Sequence, residues 1–246
     1  MNYNILINYP SRGRPLRFKE GLDSVFANVR HPEMMKIFVK LDADDAELPQ
    51  YEKILEEHRI SHPRESARIC TSIGESKNKI DAINQGIDSF SGLFDFEWGI
   101  LCNFSDDMAF THKNFDNVIR IAFKSYFPEG DGFPVFKDIL HSKIAGFELD
   151  QLCTLSIMDK KYYERFHYIY NSEYISLYCD TEATIVSGIL KRFVYIPEPI
   201  IFEHRHPANM NNVNWDERYA LTQSKLLLDT DYNTFIRRQK NNFDLK

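Results

Sequence analysis

The chain has 246 residues, 43% apolar and 27% charged, long enough to bury a full core and too apolar to be disordered. Its formal charge of -6 lacks the basic excess of a protein held on nucleic acid by phosphate contacts. Cys70, Cys102, Cys153 and Cys179 are far apart and form no C-x-x-C pair, so neither a zinc knuckle nor a dense disulfide framework is indicated.

Residues 4–9 and 35–41 carry the apolar runs of buried strands, and residues 16–28 and 51–58 have helical spacing. A short strand over 68–72 precedes Gly74 and a helix predicted over 76–90, and residues 98–104 form a fourth strand. This alternation predicts an α/β fold with a mainly parallel sheet flanked by helices, whose ligands bind beyond the carboxyl ends of the strands. The second half is less regular. Helices are expected over 113–126, 160–166, 180–191 and 215–228, and strands over 133–136, 151–158, 193–196 and 200–203. No repeat or linker intervenes, so a single domain is expected over 1–246, with a nucleotide-binding half (1–110), an acceptor half (111–210) and a C-terminal helical extension (211–246). The first residues lack the basic region and long apolar run of a signal peptide, and no stretch reaches the ~18 apolar residues of a membrane span; a soluble, cytoplasmic protein is expected.

Polar residues gather at the expected strand ends. Pro10-Ser11-Arg12-Gly13-Arg14-Pro15 follows the first strand, Leu41-Asp42-Ala43-Asp44-Asp45 the second, and Ser105-Asp106-Asp107 the fourth. Much later His204-Arg205-His206 adds imidazoles, and on a strand both rings would share a face. Carboxylates with imidazoles suit Mn²⁺ or Mg²⁺ holding a diphosphate. The acidic pairs also suit turns, and Asp180 suits a helix N-cap.

The ordered motifs resemble the GT-A fold glycosyltransferases, particularly the family-2-like enzymes that use nucleotide-activated sugars. The resemblance spans residues 4–207 and implies a Rossmann-like sheet. It sets Pro10, Ser11, Arg12 and Arg14 against the nucleotide and Asp42 against the base. Gly74-Glu75-Ser76-Lys77-Asn78 resembles the family's glycine and basic helix start, with Lys77 near the nucleotide or diphosphate. Ser105-Asp106-Asp107 resembles the D-x-D region, with Asp107 on the metal. Ser105 stands where the first Asp is common, which leaves the sugar or ribose to Asp106. Tyr178-Cys179-Asp180-Thr181-Glu182 occupies the position of the acceptor segment, with Asp180 as catalytic base and Glu182 behind it. Glu203-His204-Arg205-His206-Pro207 resembles the late histidine element, making His204 and His206 candidate metal ligands. Residues 208–246 carry no recognised chemistry.

The implied activity is Mn²⁺- or Mg²⁺-dependent, inverting transfer from a nucleoside-diphosphate sugar, a UDP-sugar favoured, to a saccharide or glycoconjugate hydroxyl. One alternative is transfer to a modified base in DNA, with Lys160-Lys161 and Arg237-Arg238-Gln239-Lys240 touching phosphate. Another is a binding module for sugar nucleotides or carbohydrates without turnover. A nucleotidyltransferase is weakened because Pro10–Pro15 stands where a glycine-rich phosphate loop would lie.

Overall fold

The structure is a computed structural model that describes residues 1–138, 151–207 and 215–245; the boundary expected near residue 210 lies outside these. The first half alternates as expected. Strand β1 (Ile5–Ser11) leads through helix α1 (Pro15–Asn28) to β2 (Met35–Asp42). Helices α2 (Leu48–Ser61) and α3 (Pro63–Ser66) lead to β3 (Ile69–Gly74), then α4 (Lys79–Asn84) and α5 (Phe90–Phe94) to β4 (Ile100–Asn103). There follow β5 (Met108–Phe110), α6 (Phe115–Tyr126), β6 (Phe133–Phe136), β7 (Ser156–Asp159), α7 (Lys160–Tyr163) and α8 (Cys179–Ile189). Strands β8 (Phe193–Ile196) and β9 (Phe202–His204) precede helices α9 (Glu217–Thr222) and α10 (Lys225–Lys240).

Among the described residues the main sheet has the order β3-β2-β1-β4-β7, parallel except for β7, which runs antiparallel to β4. The chain steps outward from β1 to β2 and β3, then returns to lay β4 on the other side of β1. That reversal opens a crevice at the carboxyl ends of β1 and β4.

The period of two along each strand divides the core. Ile5, Ile7 and Tyr9 of β1 and Ile37 and Val39 of β2 face Phe18 and Leu22 of α1, Tyr51 of α2 and Phe115 and Phe123 of α6. Leu6, Phe38 and Leu101 face the other way, towards Ile80 and Ile83 of α4, Phe90, Tyr162 and Tyr163, with Phe235 of α10 in the same cluster.

Three expected elements differ. The helix expected over 76–90 is two short helices, because Gly86 turns the chain at φ +76°, where an added Cβ would meet the Phe38 ring at 3.0 Å. The strand expected from 151 begins only at Ser156. The closing helix expected over 215–228 is interrupted: Asp216 caps α9 by accepting the Tyr219 amide, and Ser224 starts α10 by accepting that of Leu227.

Helix α4 is tethered by two polar side chains from the sheet interior. Asn8 Nδ2 and Lys40 Nζ both donate to the Ile83 carbonyl, at 2.9 and 2.8 Å, and Lys40 also donates to Gln85 O at 3.0 Å. These donors satisfy carbonyls at the end of a helix too short to stand alone. Burial, against a weaker pull from Asp81, brings the Lys40 ammonium down to about 7. An unfolded lysine titrates near ~10.4, so between the two values the unfolded chain binds more protons and stability rises with pH. The burial penalty is present in full below the lower value and is relieved as pH climbs towards the upper one. The urea midpoint of the wild type, measured relative to Lys40→Met, should therefore climb between about pH 7 and about pH 9. Parallel pH profiles for the two proteins would contradict this.

Candidate active site

The strand ends meet in a cleft of about 740 Å³, within the range of small-molecule sites. Pro10, Ser11, Arg12 and Arg14 enter it from the end of β1, Asp42 from β2, Gly74 from β3 and Asp106 and Asp107 from the turn after β4. His204, His206 and Asp180 also line it. Of the residues singled out in the sequence, Lys77 and Glu182 do not.

The first loop is held by the acids of the second. Arg12 Nη1 donates to Asp42 Oδ2 at 2.9 Å and its Nη2 to Asp44 Oδ2 at 3.1 Å, while the Gly13 amide donates to Asp45 at 2.7 Å. Gly13 adopts φ +71°, a left-handed conformation that glycine enters without strain. Ser11 Oγ donates to Asp106 Oδ2 at 2.7 Å and meets Tyr51 Oη at 2.9 Å. Tyr51 Oη also accepts the Arg14 amide at 2.7 Å.

Arg14 is the hub. Its Nη1 donates to Asp106 Oδ1 at 3.2 Å, its Nε and Nη2 reach both oxygens of Asp216 at 2.9 and 2.7 Å, and its guanidinium lies 3.8 Å from the Tyr219 ring centroid. Asp216 and Tyr219 belong to the C-terminal segment that the sequence reading left without chemistry. Two short aromatic and acidic positions three apart, at the start of a helix, were the available signal.

Asp107 has different company. β5 pairs antiparallel with β9 so that Met108 faces His204, and the Arg205 amide donates to the Asp107 carbonyl at 2.7 Å. This register brings His204 Nε2 to 3.3 Å from Asp107 Oδ2, which also accepts the Tyr219 hydroxyl at 3.1 Å; Ser105 Oγ donates to Oδ1. Behind the imidazole, Asp138 Oδ2 lies 3.8 Å from Nδ1. His206 turns instead to the Gln223 side chain, between the rings of Trp215 and Tyr219.

The two neighbouring acids are driven apart electrostatically. Burial raises Asp106, and the charge of Asp107 raises it further, against the pull of Arg14. Burial opposes ionisation of Asp107 as well, but the His204 ring and the hydrogen bonds from His204 and Ser105 overcome it and hold the carboxyl well below its ordinary range. Burial would lower His204, yet Asp107 outweighs it and holds the imidazole above its usual value. Burial, then His204, brings His206 down to about 4, leaving it neutral near pH 7.

A carboxylate held in its ionised form beside an imidazole whose far nitrogen looks onto a second carboxylate suits a divalent metal and its outer support. Asp107 and His204 would supply two ligands, with the remaining positions open to substrate oxygens and water, the usual arrangement for Mg²⁺-type ions.

Basic residues not foreseen from the sequence line the same cleft. Lys79, rather than Lys77, enters it; Lys77 is exposed and its amide donates to Asp81. One residue separates the two, and on a helix start that rotation decides which reaches the site. Arg218 enters from α9, where burial and then the charge of Arg12 lower its pKa.

Glu182 is occupied elsewhere. It is buried in a two-pronged pair with Arg238 of α10, at 2.8 and 2.9 Å, and accepts the Tyr174 hydroxyl at 2.7 Å. Two residues along α8 turn it away from Asp180, which lines the cleft half-buried. Asp180 lies inside the first turn, after Tyr178 at the cap, so it is not the N-cap residue. Removing one member of a buried pair costs roughly 3–5 kcal/mol; Glu173 and Asp244 still reach Arg238, so Glu182→Ala should lose about 3 kcal/mol in urea denaturation. The double variant Glu182→Leu with Arg238→Met should recover most of it. Wild-type stability in Glu182→Ala would remove the pair from the account.

No protein-family model matches the sequence, and no curated protein does. Solved structures do match. A mannosyltransferase from Pyrobaculum calidifontis, in complex with GDP-Man and Mn²⁺, aligns with a TM-score of 0.59 at 11% identity, over 79% of this chain and 55% of its own. S. aureus TarS 1–349 aligns with a TM-score of 0.58 at 14% identity, over 99% of this chain and 75% of its own. The same TarS fragment in complex with UDP gives 0.60 at 11% identity over the same shares. The chain thus spans about half the length of the mannosyltransferase. What these likenesses share with the cleft described above is the architecture that carries it: this chain has the GT-A glycosyltransferase fold.

Proposed function

We propose that the protein is a metal-dependent glycosyltransferase that moves a sugar from a nucleoside-diphosphate donor to an acceptor hydroxyl with inversion. The observation that carries this reading is the Asp107–His204 pair at the edge of a cleft fringed by Lys79 and Arg218. Mn²⁺ or Mg²⁺ bound there would stabilise the negative charge that grows on the departing diphosphate. Lys79 and Arg218 add fixed charge to the same oxygens. Arg218 in particular is crowded by Arg12, and an anionic ligand relieves that crowding.

Asp42, Ser11 and Arg12 stand where the nucleoside would lie, and Asp106, held by Ser11 and Arg14, faces the ribose or sugar. A UDP-sugar is the donor we favour, since TarS, which aligns over nearly the whole chain, has been solved with UDP and UDP-GlcNAc. Asp180 takes the proton of the acceptor hydroxyl as its oxygen bonds to the anomeric carbon and the bond to the diphosphate oxygen breaks. Attack on the face opposite the diphosphate inverts that carbon. The acceptor is a saccharide or glycoconjugate. DNA is disfavoured because three of the basic residues set against it are engaged within the chain: Arg238 is buried on Glu182, Arg237 pairs with Glu173 and Lys160 with Glu97. Among the described residues no helix is long and apolar enough to cross a membrane.

Thermal melts with UDP and GDP, with and without Mn²⁺, test the donor half. A nucleotide at ~100 times its dissociation constant adds ~2.7 kcal/mol of stability. That gain should need Mn²⁺ in the wild type and vanish in Asp107→Ala. A folded wild type that no nucleotide stabilises would count against a sugar-nucleotide site. For the acceptor half, Asp180→Asn should lower kcat by ~10²–10⁴ while leaving nucleotide affinity unchanged. Near-normal turnover would take the proton-accepting role from Asp180.

A further inference from the structure

Away from the cleft, at the end of α2, the sequence His58-Arg59-Ile60-Ser61-His62-Pro63-Arg64-Glu65 folds back on itself. Spacing of four brings together the rings of His58 and His62, whose centroids lie 5.1 Å apart with their planes tilted by 31°. Pro63 starts α3 and turns the chain, so that Glu65 returns to the two imidazoles. One ligand atom from each of the three lies within 4.8 Å of the other two. We infer that His58, His62 and Glu65 form a second cation site, a two-histidine, one-carboxylate site for a transition metal of the Zn²⁺ type, with solvent completing its shell.

The distances fit such an ion. Ligands held tetrahedrally at ~2.0–2.1 Å stand ~3.4 Å from one another, and His58 Nε2 is already 3.6 Å from Glu65 Oε2. That separation is too long for a hydrogen bond and close to the spacing of two ligands on one metal. The other pairs, none more than 4.8 Å apart, need to close by at most roughly 1.4 Å, and His62, on the exposed side, has room to move.

The surroundings support the ligand role. Ser66 Oγ lies 2.7 Å from His58 Nδ1, and a hydroxyl that accepts there leaves the Nε2 lone pair facing the Glu65 carboxylate. Two acceptors then oppose each other across a gap that a cation fills. The buried side is closed by the Phe26 ring, 5.2 Å from His58, whereas His62 opens the site to water. The site also lies at the C-terminal end of a helix of three to four turns, where the macrodipole favours positive charge.

This centre differs from the Asp107 centre in place and chemistry. None of its three residues lines the cleft, and His58 stands seven residues along α2 from Tyr51, the residue that braces Ser11 and Arg14. Seven residues are ~10 Å of helix. Two imidazoles favour Zn²⁺, Co²⁺ or Ni²⁺, where a carboxylate and diphosphate oxygens favour Mn²⁺ or Mg²⁺. Bound there, a metal would staple the end of α2 to α3 immediately before β3.

The test is a titration of the metal-stripped full chain with Zn²⁺ by calorimetry and with Co²⁺ by visible absorption. It is run on the wild type, Asp107→Ala, His62→Ala and Glu65→Gln. His62 and Glu65 lie outside the core, so circular dichroism of the stripped variants should match the wild type. Wild type and Asp107→Ala should bind one Zn²⁺ tightly and give the absorption of tetrahedral Co²⁺. His62→Ala and Glu65→Gln should lose affinity by more than the ~10–100-fold that removing an outer partner costs, while Mn²⁺-dependent nucleotide stabilisation persists in both. Unchanged Zn²⁺ affinity in His62→Ala and Glu65→Gln would overturn the site. So would loss of all Zn²⁺ binding in a folded Asp107→Ala, which would assign the metal to the cleft. Because Zn²⁺ and Co²⁺ binding is read without nucleotide or turnover, its failure leaves the sugar-transfer reading standing, and the reverse also holds.

Discussion

A single guanidinium placed between two carboxylates organises the cleft. Arg14 joins the loop after β1 to Asp106 after β4 and to Asp216 at the start of α9, under the ring of Tyr219. Three segments distant in sequence are thereby brought to one point. A charge this buried is tolerable because its donors end on two carboxylates and its face lies on an aromatic ring. The arrangement also sorts the two adjacent acids: Asp106 is committed to Arg14 and Ser11, which leaves Asp107 to His204 and the open side of the cleft.

The rest of the site follows from strand pairing and helix docking. Antiparallel pairing of β5 with β9 carries His204 across some hundred residues of chain to Asp107, and a slip of one residue would turn its ring to the other face. On the Asp180 side of the cleft, Asp231 of α10 accepts the amides of Ile175, Ser176 and Leu177 at 2.9, 2.8 and 2.7 Å and so shapes the loop that leads to Asp180. Arg238, about two turns further along the same face of the helix, grips Glu182 of α8. Helix α10 thus helps to set the wall of the cleft that carries Asp180. It is no appendage.

Much of the cleft at the ends of β1 to β4 was legible in the sequence, because buried parallel strands leave long apolar runs and their polar ends must lie together at one edge. Pro10 to Arg14, Asp42, Gly74, Asp106 and Asp107 converge for that reason. The choice between Lys77 and Lys79 was not legible, since it depends on where a six-residue helix begins, and Asn78 sets that by capping Asp81. Glu182 could not be told from Asp180 by position either; its partner, Arg238, lies 56 residues away. The roles of Asp216, Arg218 and Tyr219 stayed hidden for a related reason. Asp216 and Tyr219 act through contact with Arg14, and Arg218 reaches the cleft only because α9 docks there; such long-range placement has no local pattern.

The most direct measurement is the anomalous diffraction of Mn²⁺ in crystals grown with a nucleoside diphosphate. A manganese peak within bonding distance of Asp107 and His204, bridged to the diphosphate in the cleft between Lys79 and Arg218, is the expected result. A nucleotide bound elsewhere, or manganese that ignores Asp107 while the diphosphate fills the cleft, would contradict the account.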